Sequence, residues 1–302
     1  MPVNPVDSLS VSKRFPFPPN NDGDVVPGMD AVGRVVKLGA GATSPPVGAR
    51  VVSNAWVGPL GGTWQQYVTV PAASLDVVPE GIDDVIAAQY NVNPHTVLGI
   101  VAQAKKSGLR PGGWLYIDAA NSVVGRGLIE VAREENYRVA AVVRRPELVE
   151  ELKALGAAAV VDASGLSDVA AELPPLVLAA TGGERADVAF TAVAGPGAAA
   201  AGSVLKDGGI VHPYGSLSGQ ESYVSDADAE RGVRIGEYFL YSNALDALAA
   251  EERRALRERV WKALEKKQLV AESVKILPLD KAQEALDAVF VPGRGEKYFL
   301  EG

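Results

Sequence analysis

The sequence predicts an α/β protein: a doubly wound parallel sheet joined to a second, β-rich domain. Three observations carry this expectation. From residue 93 onward, short apolar runs alternate with helical patterns at close spacing, the signature of βαβ units. Those runs (VAAVV, AAVV, VAF) are almost continuously apolar, as strands covered on both faces must be. The first ninety residues instead hold short strand-like segments separated by Pro and Gly turns, which suggests a Greek-key or barrel-like domain.

In the N-terminal part, strands are expected at Ala31–Leu38 and Arg50–Ser53, and at Thr63–Val70, where polar and apolar residues alternate. Pro94 suits the first turn of a helix, expected over Thr96–Lys106 and closed by Gly108. The alternating region then reads as strand Trp114–Asp118, helix Gly125–Glu135, strand Arg138–Val143, helix Pro146–Leu155 and strand Ala159–Val161. It continues with helix Leu173–Ala180, strand Asp187–Thr191, helix Gly197–Leu205 and strand Gly209–Tyr214. A charged helix over Ala249–Lys267 buries Leu256, Val260 and Leu264. A strand at Glu272–Leu277 and a helix at Asp280–Val289 follow. The domain boundaries expected from this pattern are 1–92 with 243–302 for the β-rich domain, and 93–242 for the parallel sheet.

Composition narrows the function. The 302 residues are 47% hydrophobic and 22% charged, values of a globular chain. A net charge of −8 argues against nucleic acid as a partner. There are no cysteines and two histidines, His95 and His212, so thiolate chemistry is excluded and no metal site is expected. The N-terminus has no apolar leader pattern and no apolar run is long enough to span a membrane. A cytoplasmic protein without a membrane partner is the expectation.

The segment Trp114–Asp118, Ala119-Ala120-Asn121-Ser122-Val123-Val124-Gly125-Arg126-Gly127 runs from strand through a small-residue turn into a helix. Helix N-terminal amides and the helix dipole attract a pyrophosphate at such a turn. The glycine pattern is degraded, and an ordinary βα turn fits equally well. About twenty residues on, the next strand ends in Val142-Val143-Arg144-Arg145-Pro146. A carboxylate there would select NAD. Two guanidinium groups suit a 2′-phosphate instead, so NADP(H) is the expected cofactor.

With these parts in place, the chain resembles the medium-chain dehydrogenase/reductase superfamily along nearly its whole length. Zinc-dependent members carry Cys and a Gly-His-Glu element; the equivalent stretch here is Gly28-Met29-Asp30-Ala31-Val32-Gly33, which resembles the zinc-free branch. Within that branch the chain is similar to the 2-enoyl thioester reductases of the mitochondrial fatty-acid-synthesis type. Five segments carry the likeness: Val3-Asn4-Pro5-Val6-Asp7, Gly62-Thr63-Trp64-Gln65-Gln66-Tyr67, Asn91-Val92-Asn93-Pro94-His95-Thr96, Ala120-Asn121-Ser122-Val123-Val124-Gly125 and Val142-Val143-Arg144.

The resemblance implies a Rossmann-type sheet plus a GroES-like catalytic domain. The family has strands before its Asn-Pro-x-Asp motif, which here begins at residue 4, so the first sheet is expected to lack strands. A homodimer is the expected assembly. Asn93 would meet the nicotinamide end, Asn121, Ser122, Val123 and Val124 the pyrophosphate, and Arg144 and Arg145 the 2′-phosphate. Tyr214, Gly215, Ser216 and Leu217 would line the nicotinamide; Tyr238, Phe239 and Leu240 would border cofactor and acyl pocket. Lys297 would reach the cofactor from the C-terminal strand, unless it is a surface lysine. Trp64 and Asn93 are candidate catalytic residues. The family's catalytic tyrosine falls on Phe15, and a phenyl ring donates no proton. His95 reads as a possible acid or as a packed, hydrogen-bonded histidine, and His212 as a core or cofactor-side residue. The leading function is NADPH-dependent reduction of an activated carbon–carbon double bond, in an enoyl-CoA or enoyl-acyl carrier protein. A quinone or enone reductase without a dedicated acid is the alternative, and an NADPH-binding protein with little turnover the second alternative.

Overall fold

The computed structural model describes residues 1–11, 26–53, 61–239, 248–291, 293 and 295–302, with the backbone alone at Leu9 and Ser10. In chain order the elements begin with α1 (Pro5–Val11), β1 (Gly33–Arg34), β2 (Arg50–Ser53), β3 (Leu75–Val77), α2 (Asp84–Ala87) and α3 (Val92–Lys106). Next come β4 (Trp114–Ile117), α4 (Val123–Glu134), β5 (Arg138–Val143), α5 (Val149–Leu155), β6 (Ala159–Asp162), α6 (Val169–Ala180), β7 (Val188–Thr191), α7 (Pro196–Ser203) and β8 (Ile210–Pro213). The last are α8 (Asp226–Glu230), β9 (Arg234–Ile235), α9 (Ala250–Glu265), β10 (Val274–Pro278), α10 (Ala282–Val289) and β11 (Lys297–Glu301). The chain divides into two compact units, Met1–His95 with Ala255–Gly302, and Thr96–Arg254.

The second unit is a single six-stranded sheet in the order β6-β5-β4-β7-β8-β9, with every neighbouring pair parallel. Counted from β4 as the first strand, this is the 3-2-1-4-5-6 order of dinucleotide-binding sheets. The apolar runs explain it. All four residues of β4 are buried, as are all four of β7, because helices cover both faces. Tyr116, Ala140, Val161, Leu173, Ala200, Leu205 and Val211 belong to one contiguous core. Strand β5 occupies the span its sequence predicts, β4, β6, β7 and β8 lie within a residue of theirs, and the short edge strand β9 is not among those expected.

The first unit differs from its expectation. It holds a three-stranded antiparallel sheet, β1-β2-β3, and a two-stranded parallel sheet, β10-β11. Residues 31–38 form only the two-residue β1, and 63–70 form no strand. Thr63 and Trp64 instead donate backbone bonds to the carbonyls of Gly28 and Pro27, and the chain bends as Gln65 N–H bonds Thr63 O. Both stretches line the same cavity. A strand pattern without a neighbour to pair with does not make a ladder. The N-terminal segment runs beside β11: Pro2 bridges Phe299, and Val3 N–H donates to Tyr298 O at 2.9 Å.

One buried carboxylate organises this unit. Asp30 is fully buried. Its Oδ1 accepts the backbone amides of Asn91 and Val92, each at 3.0 Å, and its Oδ2 accepts the Asn4 side-chain amide at 2.8 Å. Asn4 Oδ1 in turn accepts Lys297 Nζ at 2.6 Å. Asp30 thereby supplies the anion for the start of α3, a role usually taken by a local N-cap residue. This explains why α3 starts at Val92, four residues before the expected Thr96. Lys297 is buried in this network, so the reading of a surface lysine is corrected.

Two predictions follow from that network. Asp30→Ala leaves Lys297 buried without its carboxylate and orphans two helix amides; it should destabilise the protein by about 3–5 kcal/mol, read as the shift in a urea unfolding midpoint. A shift under about 1 kcal/mol would contradict the role. Asp7 is also buried, and its carboxyl is pushed up from the usual 3.8 to about 7, first by burial and then against the amide bond from Asn4. Between those values the native state holds a proton that the unfolded chain does not, so Asp7 weakens the fold as pH rises through that window. Asp7→Asn should therefore gain stability relative to the unaltered protein between pH 5 and pH 8; a pH-independent difference would contradict this.

Candidate functional site

The carboxyl edge of the second unit's sheet carries the loops after β4, β5, β7 and β8. After β4 the chain turns sharply at Ala119, with φ of 46°, and enters α4. Ser122 caps that helix by accepting the Gly125 amide at 3.1 Å. The first-turn amides of Val123 and Val124 have no acceptor within the helix. Gly125 is required by closeness: a Cβ there would lie 2.6 Å from the Cα and carbonyl oxygen of Ala120. The one glycine the degraded motif keeps is thus the one that lets the helix approach the turn. Arg126 closes the side of the turn, bonding Asn121 O at 3.3 Å and Glu151 at 2.7 Å.

At the end of β5, Arg144 is exposed and Arg145 half-buried. Among the described residues neither guanidinium forms an ion pair. After β8, Tyr214 N–H bonds Thr191 O at 2.9 Å and Leu217 N–H bonds Ala192 O at 3.0 Å. Gly215 is again forced, since its Cβ would meet Ala192 O at 2.7 Å. The buried Tyr214 hydroxyl lies toward the Ser122 side chain, which brings the β8 loop to the β4 turn. Ser216 is half-buried and Leu217 exposed beside it. Tyr238 is 37% exposed, whereas Phe239 packs edge-on to Phe190 with centroids 6.1 Å apart. Leu240 and Phe15 lie outside the described residues.

The first unit carries the other candidates. Asn93 is buried in the first turn of α3, and among the described residues its amide nitrogen has no hydrogen-bond partner. Trp64 packs on a small core with Val3, Leu286 and Leu300. Lys297 sits in the Asp30 network, 2.6 Å from Asn4.

Both histidines are held by contacts within the fold. His95 Nδ1 faces the carbonyl oxygens of Tyr90 and Asn91 at 3.1 and 2.9 Å. Two acceptors there require Nδ1 to carry the proton, which leaves Nε2 as the lone-pair side. Burial lowers its pKa to about 4, so at neutral pH it is an uncharged imidazole and a poor acid. His212 stacks on Phe190 with centroids 4.9 Å apart and meets the Ser107 hydroxyl at 3.0 Å. Burial, then the Arg234 charge, lowers it to about 4 as well. Among the described residues no group of three or more His, Cys, Asp or Glu side chains is placed to hold a metal ion. No helix among them is long and apolar enough to cross a membrane.

A parallel sheet in this order, with a glycine-dependent turn at a helix N-terminus, defines a dinucleotide-binding fold. The comparisons agree. The family described as "Zinc-binding dehydrogenase" matches residues 123–257, and "Alcohol dehydrogenase GroES-like domain" matches residues 1–80. The two matches together support a place in the medium-chain dehydrogenase/reductase superfamily, although the chain has no cysteine to ligate zinc. It is similar to the mitochondrial enoyl-[acyl-carrier-protein] reductase of Homo sapiens, 26% identical across 99% of this chain and 78% of that protein. A Caenorhabditis elegans protein of the same name is 28% identical over 72% of this chain; the match spans 60% of that relative, less than two thirds of its length. The crystal structure of a putative NADPH:quinone reductase from Bacillus thuringiensis superposes with a TM-score of 0.82 at 27% identity, covering 100% of this chain and 87% of that one.

The Gly125 contact generates a prediction. Gly125→Val forces α4 away from Ala120. Overpacking of this kind costs about 1–3 kcal/mol, and displacement of the turn should weaken NADPH binding by at least about tenfold. Calorimetric titration and a thermal melt check both; unchanged affinity would contradict the assigned cradle.

Proposed function

We propose that the chain is an NADP(H)-dependent oxidoreductase that reduces an activated carbon–carbon double bond, with 2-enoyl thioesters as the first substrate class. The observation that carries the cofactor choice is the pair Arg144–Arg145 at the carboxyl end of β5, with no ion-pair partner among the described residues and no carboxylate in the strand-end position that would meet a ribose 2′-hydroxyl. Guanidinium groups suit a 2′-phosphate in charge and in hydrogen-bond geometry. Val123 and Val124 would hold the pyrophosphate on the first turn of α4, with Asn121 and Ser122 shaping the turn. Tyr214, Gly215, Ser216 and Leu217 would border the nicotinamide. Bound NADPH supplies a hydride.

The chain's own residues then have two tasks. They must hold the acceptor's carbonyl and keep water from competing. The buried Asn93 amide nitrogen, lacking a partner among the described residues, is the donor we assign to a ligand oxygen. The proton that completes the reduction comes from solvent or a ligand hydroxyl, since His95 is uncharged and Phe15 carries none. The similarity to the enoyl-[acyl-carrier-protein] reductases supports this substrate class, and we extend it to coenzyme A or acyl carrier protein as the thioester carrier and to a homodimer. The likeness to the putative NADPH:quinone reductase favours a second reading, a quinone or enone reductase whose electron-poor acceptor stabilises charge itself.

Two experiments test these readings. Replacing Arg144 and Arg145 by alanine together should weaken NADPH binding by roughly 2–4 kcal/mol and leave NADH nearly unchanged; equal affinity of the unaltered protein for the two cofactors would contradict the choice. A screen of NADPH oxidation over crotonyl-CoA, simple enones and quinones separates the substrate classes. Turnover of crotonyl-CoA above that of quinones is expected; quinone turnover without thioester turnover would establish the second reading.

A further inference from the structure

We propose that Asp118 is a positioning residue for the dinucleotide, fastening the β4 turn to the loops after β7 and β8 so that all three present their backbone to one cofactor. The inference rests on the dinucleotide reading above. Asp118 directly follows β4 and is 3% exposed. Its Oδ2 accepts the Thr191 hydroxyl at 2.5 Å. Its Oδ1 accepts the amides of Ala192 and Val193 at 2.7 and 3.2 Å. Thr191 Oγ1 also accepts the Ala194 amide at 3.0 Å, so one carboxylate sets the whole turn from 191 to 194.

That turn carries the next loop. The carbonyls of Thr191, Ala192 and Val193 accept the amides of Tyr214, Leu217 and Ser218 at 2.9, 3.0 and 2.9 Å. A displacement at Asp118 therefore passes through two backbone segments to the residues assigned to the nicotinamide. Space for adjustment is absent: a Cβ on Gly197 would lie 3.2 Å from Asp118 Oδ2, and one on Gly215 would lie 2.7 Å from Ala192 O.

The carboxylate is not there to offset a cation. It forms no ion pair among the described residues. The groups facing it are the Thr191 hydroxyl on β7 and the phenols of Tyr116 on β4 and Tyr214 after β8, both held neutral by burial. A buried charge without a counter-charge is costly, and what it gains here is an acceptor for two adjacent amides that an apolar side chain would orphan. Burial pushes its carboxyl up to about 6, against the bonds from Thr191, Ala192 and Val193. Once protonated, Oδ2 turns donor toward Thr191 while Oδ1 still accepts the amides of Ala192 and Val193, the arrangement an asparagine would also make.

The test is NADPH titration of the full chain, well below each variant's melting temperature. Asp118→Leu, close in volume but without an acceptor, should raise the Kd at least about tenfold in protein that remains folded by circular dichroism. Asp118→Asn, which keeps an oxygen toward Ala192 and Val193, should recover the affinity to within about threefold. An unchanged Kd in folded Asp118→Leu, or an Asp118→Asn affinity as weak as that of Asp118→Leu, overturns the inference. If Asp118→Leu does not fold, Thr191→Val decides in its place, with an unchanged Kd again overturning it. Failure of the unaltered protein to bind NADPH overturns both this inference and the cofactor reading, whereas binding with unaffected variants overturns this inference alone.

Discussion

Parallel pairing of all six strands of the second unit places every carboxyl end on the same edge of the sheet. That constraint decides where chemistry can be built. The order β6-β5-β4-β7-β8-β9 reverses direction between β4 and β7, so the loops after those strands leave toward opposite faces and open a crevice at the switch point. The segments assigned to the pyrophosphate, the 2′-phosphate and the nicotinamide loop sit on that edge: the turn at 119–122, the arginines at 144–145 and the loop at 214–217. The helix N-terminus of α4 then adds an electrostatic preference for an anion. None of these loops is specialised alone, and it is the sheet that gathers them.

Buried charge plays a different part in each unit. In the first, Asp30 is compensated: it takes the amides that start α3, the side chain of Asn4 and, through Asn4, the charge of Lys297. It joins three parts of the chain that are far apart in sequence. In the second, Asp118 has only hydrogen-bond donors around it. A compensated buried carboxylate fixes a fold, because breaking it strands its partners. An uncompensated one is costly wherever it sits, and Asp118 offsets that cost by ordering the turn at 191–194 and, through it, the loop at 214–218.

Much of this was legible in the sequence where the signal is local. The apolar runs at 138–143 and 159–161 read as strands because burial on both faces leaves no polar alternation. The Arg-Arg-Pro at 144–146 read as a strand end because of its spacing from the turn. What could not be read depends on contacts distant in sequence. The early start of α3 is set by Asp30, about sixty residues away along the chain. Residues 31–38 and 63–70 have strand patterning, but a ladder depends on a neighbour that the pattern cannot specify. Lys297 had cofactor-contact and surface readings, and only its bond to Asn4 shows it buried in a network. Asp118 left a faint signal, an acidic residue closing an otherwise apolar strand, which is uncommon unless the group is hydrogen-bonded.

The account's central claim is that the carboxyl edge of the parallel sheet is an NADP(H) cradle. Hydrogen–deuterium exchange of the full chain with and without saturating NADPH tests it most directly, because it reports which backbone amides a ligand covers or steadies. The account predicts slowed exchange in the peptides that contain 119–126, 144–146 and 214–217, with NADH giving a weaker effect at 144–146. Protection elsewhere that leaves these three segments unchanged would contradict it.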